Sequence, residues 1–332
     1  MIDRRAFIGG LAFGTVVTAH VARAQPAGKV YRIGILSSGS TTSEMVGPEP
    51  QDPRINSLVR GFRELGYVYG THFVTEPRGG EGKPERFATL AAEVVRLQVD
   101  VIVAAGPMLS AVKQATSTIP IVTTGAGDPV ASGYAQSLAR PGGNITGLSL
   151  QVTETVGKRL ELLKELVPGA APVGVLWDPR VSRGSWQAAE SAARGRGWRL
   201  LSFEIRDVGE IEKAFKSAAA ARAGALLVVP SGLPDAHAGR IAALAVKSRL
   251  PVMYAFRSYI EAGGLISYGV DLNENYRRAA AFVDKILRGI KPADLPIEQP
   301  TKFELVVNLK AARSIGLTTP PPLLSRADEV IQ

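Results

Sequence analysis

Side chains able to grip a small solute recur in this sequence at the ends of short apolar runs. The run 30–36 is followed by Ser37 and Ser38. The run 100–105 leads into Gly106 and, four residues on, Ser110, and the run 119–124 closes on Thr123, Thr124 and Gly125. Hydroxyls beside a Gly-rich turn, where a helix is about to start, offer donors to a carboxylate or another anion. The same groups also cap their own turns. Asp128 and Asp178 each precede a proline. Such a carboxylate either pairs with a ligand ammonium or caps a helix whose first position the proline fills. Trp177, Tyr254, Phe256 and Tyr268 end apolar runs, where an aromatic face stacks on a ring or holds a cation unless the core claims it. Arg257 offers a planar fork for an anion, or for a surface ion pair. Ser231, after Pro230, repeats the first set of hydroxyl loops.

This is equipment for binding. There is no cysteine, which excludes disulfides, thiolate catalysis and thiolate zinc sites. Beyond residue 24 the chain has only His72 and His237, far apart and without metal-ligand spacing. Gly-x-Ser-x-Gly, phosphate-loop and His-Glu-x-x-His patterns are absent, and Gly125-Ala126-Gly127 fails the dinucleotide fingerprint because Val130 holds the third glycine position. Neither an enzyme nor a cofactor is expected.

The elements that must position these residues follow from periodicity. Runs 30–36, 73–76, 100–105 and 119–124 read as strands, with helices at 58–65, 85–97 and 110–116 between them. In 85–97, Phe87, Leu90, Ala91, Val94 and Leu97 share one face while Arg86, Thr89, Glu93 and Arg96 share the other. Asp128-Pro129 reads as a helix start, and 140–147 as a Pro/Gly turn leading to a second domain. The alternation then restarts: helix 153–167, strand 173–177, helix 185–196, strand 200–205, helix 210–221, strand 225–229, helix 238–248, strands 251–255 and 264–268. A helix at 275–288, a Pro-rich passage at 292–300 and an extended run at 302–309 complete the chain.

Strands apolar on both faces, alternating with helices, indicate α/β architecture with parallel sheets covered on both sides. Two such series predict two doubly wound lobes, 30–147 plus 269–296 and 148–268 plus 297–332. Three crossings between them would make a hinge, with a cleft at the carboxyl ends of the strands.

The chain has 332 residues, 45% of them hydrophobic and 6% aromatic, enough for two aliphatic cores. Residues 1–24 read as an export signal: Arg4-Arg5, an apolar stretch over 6–17, and Ala22-Arg23-Ala24 as a cleavage site. The paired arginines fit an ordinary secretory or a twin-arginine signal. Cleavage near Ala24 would release the protein into a periplasm with a formal charge of +7 rather than +9. Its basic residues are dispersed, without the aromatic interleaving of a nucleic-acid surface, so no nucleic-acid partner is expected.

Several stretches carry a resemblance. They include Glu-Leu-Gly-Tyr-Val from Glu64, Glu-Gly-Lys-Pro-Glu-Arg from Glu81, Lys-Gln-Ala-Thr-Ser-Thr-Ile-Pro-Ile-Val from Lys113 and Gly-Asp-Pro-Val from Gly127. Ser-Leu-Ala-Arg-Pro-Gly-Gly-Asn-Ile-Thr-Gly-Leu-Ser from Ser137, Gly-Lys-Arg-Leu-Glu-Leu-Leu-Lys-Glu from Gly157, Glu-Ala-Gly-Gly-Leu-Ile-Ser-Tyr-Gly from Glu261 and Pro-Thr-Lys-Phe-Glu-Leu-Val-Val-Asn-Leu-Lys from Pro300 belong with them. In these the chain resembles the periplasmic substrate-binding proteins of ABC importers, in their aromatic-amino-acid group. The resemblance implies a type I binding-protein fold that closes like a venus flytrap. It also implies a monomer that captures a small amino-acid-like or carboxylated solute and delivers it to a membrane permease with an ATPase subunit. The same fold could instead serve as the sensing partner of a receptor or kinase. Gly106-Pro107-Met108-Leu109 stands where the family usually has Gly-Thr-Pro-Ala.

Overall fold

The computed structural model describes residues 29–332. The segment read as an export signal lies outside the described residues. The first series runs β1 (Tyr31–Ser37), α1 (Pro53–Glu64), β2 (Phe73–Gly79), α2 (Phe87–Arg96), β3 (Val101–Ala104), α3 (Gly106–Ala115), β4 (Ile121–Ala126) and β5 (Ile145–Ser149). Every residue of β3, β4 and β5 is buried, as expected of strands covered on both faces, although only β3 is apolar throughout.

Helix α1 shows what holds the lobe together. Asp52 accepts hydrogen bonds from the Arg54 and Ile55 amides, Pro53 fills the first turn, and Ile55, Leu58, Val59 and Phe62 face the sheet. Burying each of these four side chains is worth about 1.5–3 kcal/mol. That outweighs the roughly 1 kcal/mol cost of a glycine, here Gly61, inside a helix.

The second series runs α4 (Val156–Leu166), β6 (Val173–Trp177), α5 (Arg183–Arg194), β7 (Leu200–Glu204), α6 (Val208–Ala220), β8 (Ala225–Val228), α7 (Gly232–Ala236), α8 (Ala238–Lys247), β9 (Val252–Tyr254), α9 (Arg257–Glu261) and β10 (Ile266–Gly269). The chain closes with α10 (Leu272–Leu287), β11 (Ile297–Glu298), β12 (Glu304–Asn308), α11 (Leu309–Ser314), α12 (Pro321–Leu324) and β13 (Glu329–Ile331). One sheet has the order β11-β5-β4-β3-β1-β2 and the other β13-β12-β10-β9-β8-β6-β7. Pairing is parallel throughout except where β12 runs antiparallel to β10. In the first lobe α1 and α10 pack on one face of the sheet, α2 and α3 on the other. In the second, α4 and α5 oppose α6, α8 and α9.

The chain passes between the sheets at 150–155, 270–271 and 299–303. The third passage lies just beyond the expected boundary between 296 and 297. Ile297 and Glu298 pair in parallel with Gly147 and Leu148, so they belong to the first sheet rather than opening the last segment of the second lobe. The turn expected over 140–147 gives way at Ile145 to β5, which pairs with β4. Its Thr146, Gly147 and Ser149 break the apolar pattern, yet all three are buried, with Thr146 Oγ1 donating to the Leu295 carbonyl at 2.7 Å.

The helix expected after Asp128-Pro129 is absent. Asp128 does cap, accepting from the amides of Val130 and Ala131 at 3.2 and 2.9 Å. The turn then ends at Gly133, which takes a positive φ of 66°. Too few apolar residues follow to bury a helical face, so a single turn is all that the cap supports.

Candidate ligand-binding cleft

A cavity of about 420 Å³ opens between the lobes. The first lobe contributes Ser37 at the end of β1, Ser38 and Gly39 after it, Arg54 in α1, Ala105, Gly106 and Pro107 at the start of α3, Thr124 and Gly125 of β4, and Tyr276 of α10. The second lobe contributes Gly232, Asp235 and Ala236 of α7 and Phe256–Ser258 with Glu261 at α9. Leu150 and residues 270–273 of two crossings form the rear. In the first sheet β1 lies between β2 and β3, the point where strand order reverses and where open α/β sheets leave a crevice.

Seven of the sequence-derived candidates meet in this cavity: Ser37, Ser38, Gly106, Thr124, Gly125, Phe256 and Arg257. Thr124 is fully buried, and its Oγ1 has no hydrogen-bond partner. A buried hydroxyl left unmatched costs about 1–3 kcal/mol, so the site retains an unmet demand for a partner. Gly106 starts α3 with a φ of 53°, and no side chain caps the helix, so its first amides are left for whatever enters. Gly125 leaves room for the first crossing, because a Cβ there would lie 2.8 Å from Leu150 Cδ2. Arg257 lines the cavity, but its guanidinium is already matched, 2.8 Å from Glu304 and 2.6 Å from Glu329. It is therefore not a free clamp for an anion.

The other candidates lie elsewhere. Ser110 is one turn inside α3, half-buried and away from the cavity lining. Thr123 Oγ1 accepts from the Gly125 amide at 3.1 Å, a local turn contact. Asp128 caps its own turn. Trp177 is 4% exposed, stacks on Trp186 at 5.3 Å and donates Nε1–H to Ser202. Asp178 is buried and bound to Arg180 at 2.6 Å. Burial alone would raise its carboxyl, but the Arg180 side chain and amide hold it below the ordinary range. Tyr254 is core, stacked on Tyr259 at 4.6 Å, and Tyr268 stacks on Phe303. Ser231 precedes α7 with its Oγ buried and unpartnered, one residue from the cavity wall.

Residues not singled out in the sequence complete the walls. Behind Ser37, Ser40 bonds both Ser37 Oγ and Asp52, and Asp52 holds Arg54 at 2.9 Å. Burial pushes the Asp52 carboxyl upward, but Arg54 and Ser40 outweigh it and keep Asp52 ionised below the usual range. Across the cleft, Tyr259 donates to Asp235 Oδ1 at 2.7 Å. Asp235 is open to the cavity, yet protein from both lobes thins the water around it. That desolvation pushes its carboxyl up to about 7, against the pull of the Tyr259 hydroxyl and the charges of Arg54 and Arg159. Arg159 of α4 is fully buried; burial pulls it down to about 10. Its Nη2 donates to the Val152 carbonyl and to Thr155 Oγ1, tying the first crossing to α4, while Nη1 has no partner.

The cleft therefore offers hydroxyl and amide donors beside Arg54, itself paired with Asp52, on one side and the Asp235 carboxyl on the other. Among the described residues no cluster of three or more His, Cys, Asp or Glu is arranged for a metal ion.

Comparison with known proteins places this geometry. The chain is 26% identical to a conserved domain protein from Vibrio cholerae, covering 91% of this chain and all of the other, with a TM-score of 0.81. The ABC domain from Streptococcus pneumonia, solved in complex with L-Trp, is 24% identical over 91% of this chain and 100% of its own, also at a TM-score of 0.81. A tyrosine-binding protein of Clostridioides difficile is 23% identical over 278 residues, 83% of this chain and 80% of its own length. These likenesses agree with the two doubly wound lobes of a type I periplasmic binding protein. The family described as ABC transporter substrate binding protein matches residues 45–331, and this chain belongs to it.

Proposed function

We propose that this protein captures a single α-amino acid in the interlobe cleft, outside the cytoplasmic membrane, and delivers it as a monomer to an ABC permease and its ATPase subunit. The carrying observation is the division of charge across the cavity. The carboxylate of a zwitterion matches the first-lobe side, with Thr124 Oγ1, Ser38 and the uncapped start of α3. Its ammonium matches Asp235. The apolar parts of Leu36, Pro53, Leu150, Phe256 and Leu272 surround the remaining volume, which suits an uncharged side chain. Relatives named for tyrosine binding and solved with L-Trp support an amino acid as the solute.

Contacts to both lobes make binding and closure one equilibrium, because a solute touching both sides favours the closed form. No step of bond making is required of any residue. The test is a thermal-shift screen of residues 25–332 against amino acids, carboxylates and sugars. A ligand at one hundred times its dissociation constant adds about 2.7 kcal/mol to stability. Stabilisation by one or a few amino acids is the expected result; absence of any shift across the amino-acid panel contradicts the proposal.

A further inference from the structure

Helix α7 lines the cavity and comes close to the first lobe near both of its ends. At one end, a Cβ placed on Gly232 would lie 2.6 Å from Cγ of Pro107, 3.6 Å from its Cδ and 3.7 Å from its Cβ. At the other end, Ala236 Cβ lies 3.5 Å from where a side chain would start at Gly82. Between these contacts sits Asp235. Gly232 has no left-handed φ, so backbone conformation does not call for glycine there. What calls for it is the pyrrolidine ring of the opposite lobe, a rigid group at the start of α3 that cannot swing aside as a long side chain would.

We propose that Gly232 is a positioning residue for ligand capture. Its missing side chain lets α7 seat on Pro107, and that seat sets the width at which the cleft closes and carries Asp235 to the ligand. The inference rests on the reading of the cleft as an amino-acid site. A methyl group at 232 must restore an ordinary carbon–carbon separation, which moves α7 away from the first lobe by roughly 1 Å. Asp235, three residues along the same short helix, retreats with it. A ligand held at both ends then loses optimal contact at one of them.

Three variants test this: Gly232→Ala, Pro107→Ala and the two combined. The chain has no cysteine, so Arg60→Cys and Lys216→Cys, both well exposed and on opposite lobes, take spin labels cleanly in each background. Interlobe distance and affinity are measured with L-tyrosine, L-tryptophan and a mixture of the other protein amino acids as probes. Gly232→Ala is expected to lengthen the ligand-bound distance and weaken binding about tenfold, the scale of a modest overpacking penalty. Its ligand-free melting temperature should hold or rise, because alanine favours α7 as a helix; a merely structural glycine would show a loss. Pro107→Ala alone, which alters the cavity wall in its own right, is the reference for the double variant: in that background, adding Gly232→Ala should change distance and affinity by no more than about twofold, the signature of coupled neighbours.

The inference is overturned if Gly232→Ala binds and closes like wild type, or if it costs as much in the Pro107→Ala background as it does alone. A wild-type protein that neither binds nor closes with any of the amino acids contradicts the proposed function instead, and this inference falls with it.

Discussion

The two lobes share a topology but use it differently. In the first sheet the order reverses at β1, and the loops after β1 and β3 line the cavity. In the second sheet the order reverses at β6 in the same manner, yet the loop after β6 is sealed: Trp177 is stacked on Trp186 and Asp178 is bound to Arg180. The second lobe meets the cavity through α7 and α9 instead. Equivalent positions in a repeated architecture thus line the cavity in one lobe and pack among neighbours in the other. What decides is whether the strand-end side chains find partners at home. Trp177 and Asp178 do, whereas Thr124 Oγ1 does not.

The sharpest way to break this comparison is Trp177→Ala. It should cost about 3–5 kcal/mol of stability, as for a large aromatic removed from a core, and leave the affinity of the folded protein unchanged. Denaturant unfolding beside calorimetric titration measures both; a loss of affinity with little loss of stability would return Trp177 to the ligand site.

Next in size is Asp235→Asn, expected to weaken an amine-bearing ligand by about 2 kcal/mol, at the low end for a charge pair because the group stays open to the cavity. The pH profile gives the same test in wild type. The carboxyl is raised to about 7, so it is neutral below that value and attracts no ammonium. Affinity should therefore rise as pH passes upward through about 7. Stability of the empty protein should run the other way. A carboxyl raised in the fold favours folding while protonated, and that contribution is lost as pH rises from the ordinary carboxylate range through about 7. Removing the positive charge of Arg159 by Arg159→Met should move the binding midpoint further up.

Thr124→Ala should weaken binding by about 1 kcal/mol, the net worth of one hydrogen bond, with ligand-free melting unchanged or slightly higher, since a hydroxyl without a partner is removed. Equal losses in both measurements would make Thr124 structural. The smallest effect belongs to Arg257→Gln. Two glutamates already answer its charge, so affinity should stay within about 0.5 kcal/mol, the usual range for a side chain that makes no contact of its own to the ligand.

These contrasts also show which features could be read from the residues alone. Runs such as Val101–Ala104 announce buried strands by composition, and the hydroxyls that follow them lie where such strands end. Side-chain destination is a tertiary property. Asp52-Pro53 and Asp128-Pro129 are the same dipeptide, and both aspartates cap. Only the first is followed by Ile55, Leu58, Val59 and Phe62 at helical spacing, and only it starts a helix. That spacing was the available signal for α1 and for Arg54 on its first turn. Asp235 gave no such signal, because α7 has five residues, too few for a period to register. Its neighbours in the cleft come from distant parts of the chain. Arg257 shows the reverse case: of its two readings, anion fork or ion pair, the second appears only once the strands bearing Glu304 and Glu329 are folded beside it.

The central claim is that a zwitterion lies across the cleft with its ammonium on Asp235. It is tested most directly by titrating wild type and Asp235→Asn with L-tyrosine and with the same molecule lacking its amino group. The account predicts that wild type prefers the amine by about 2 kcal/mol and that the preference collapses in the variant, the coupling expected of a direct charge pair. An equal preference in both proteins would show that Asp235 does not hold the ammonium and would contradict the account.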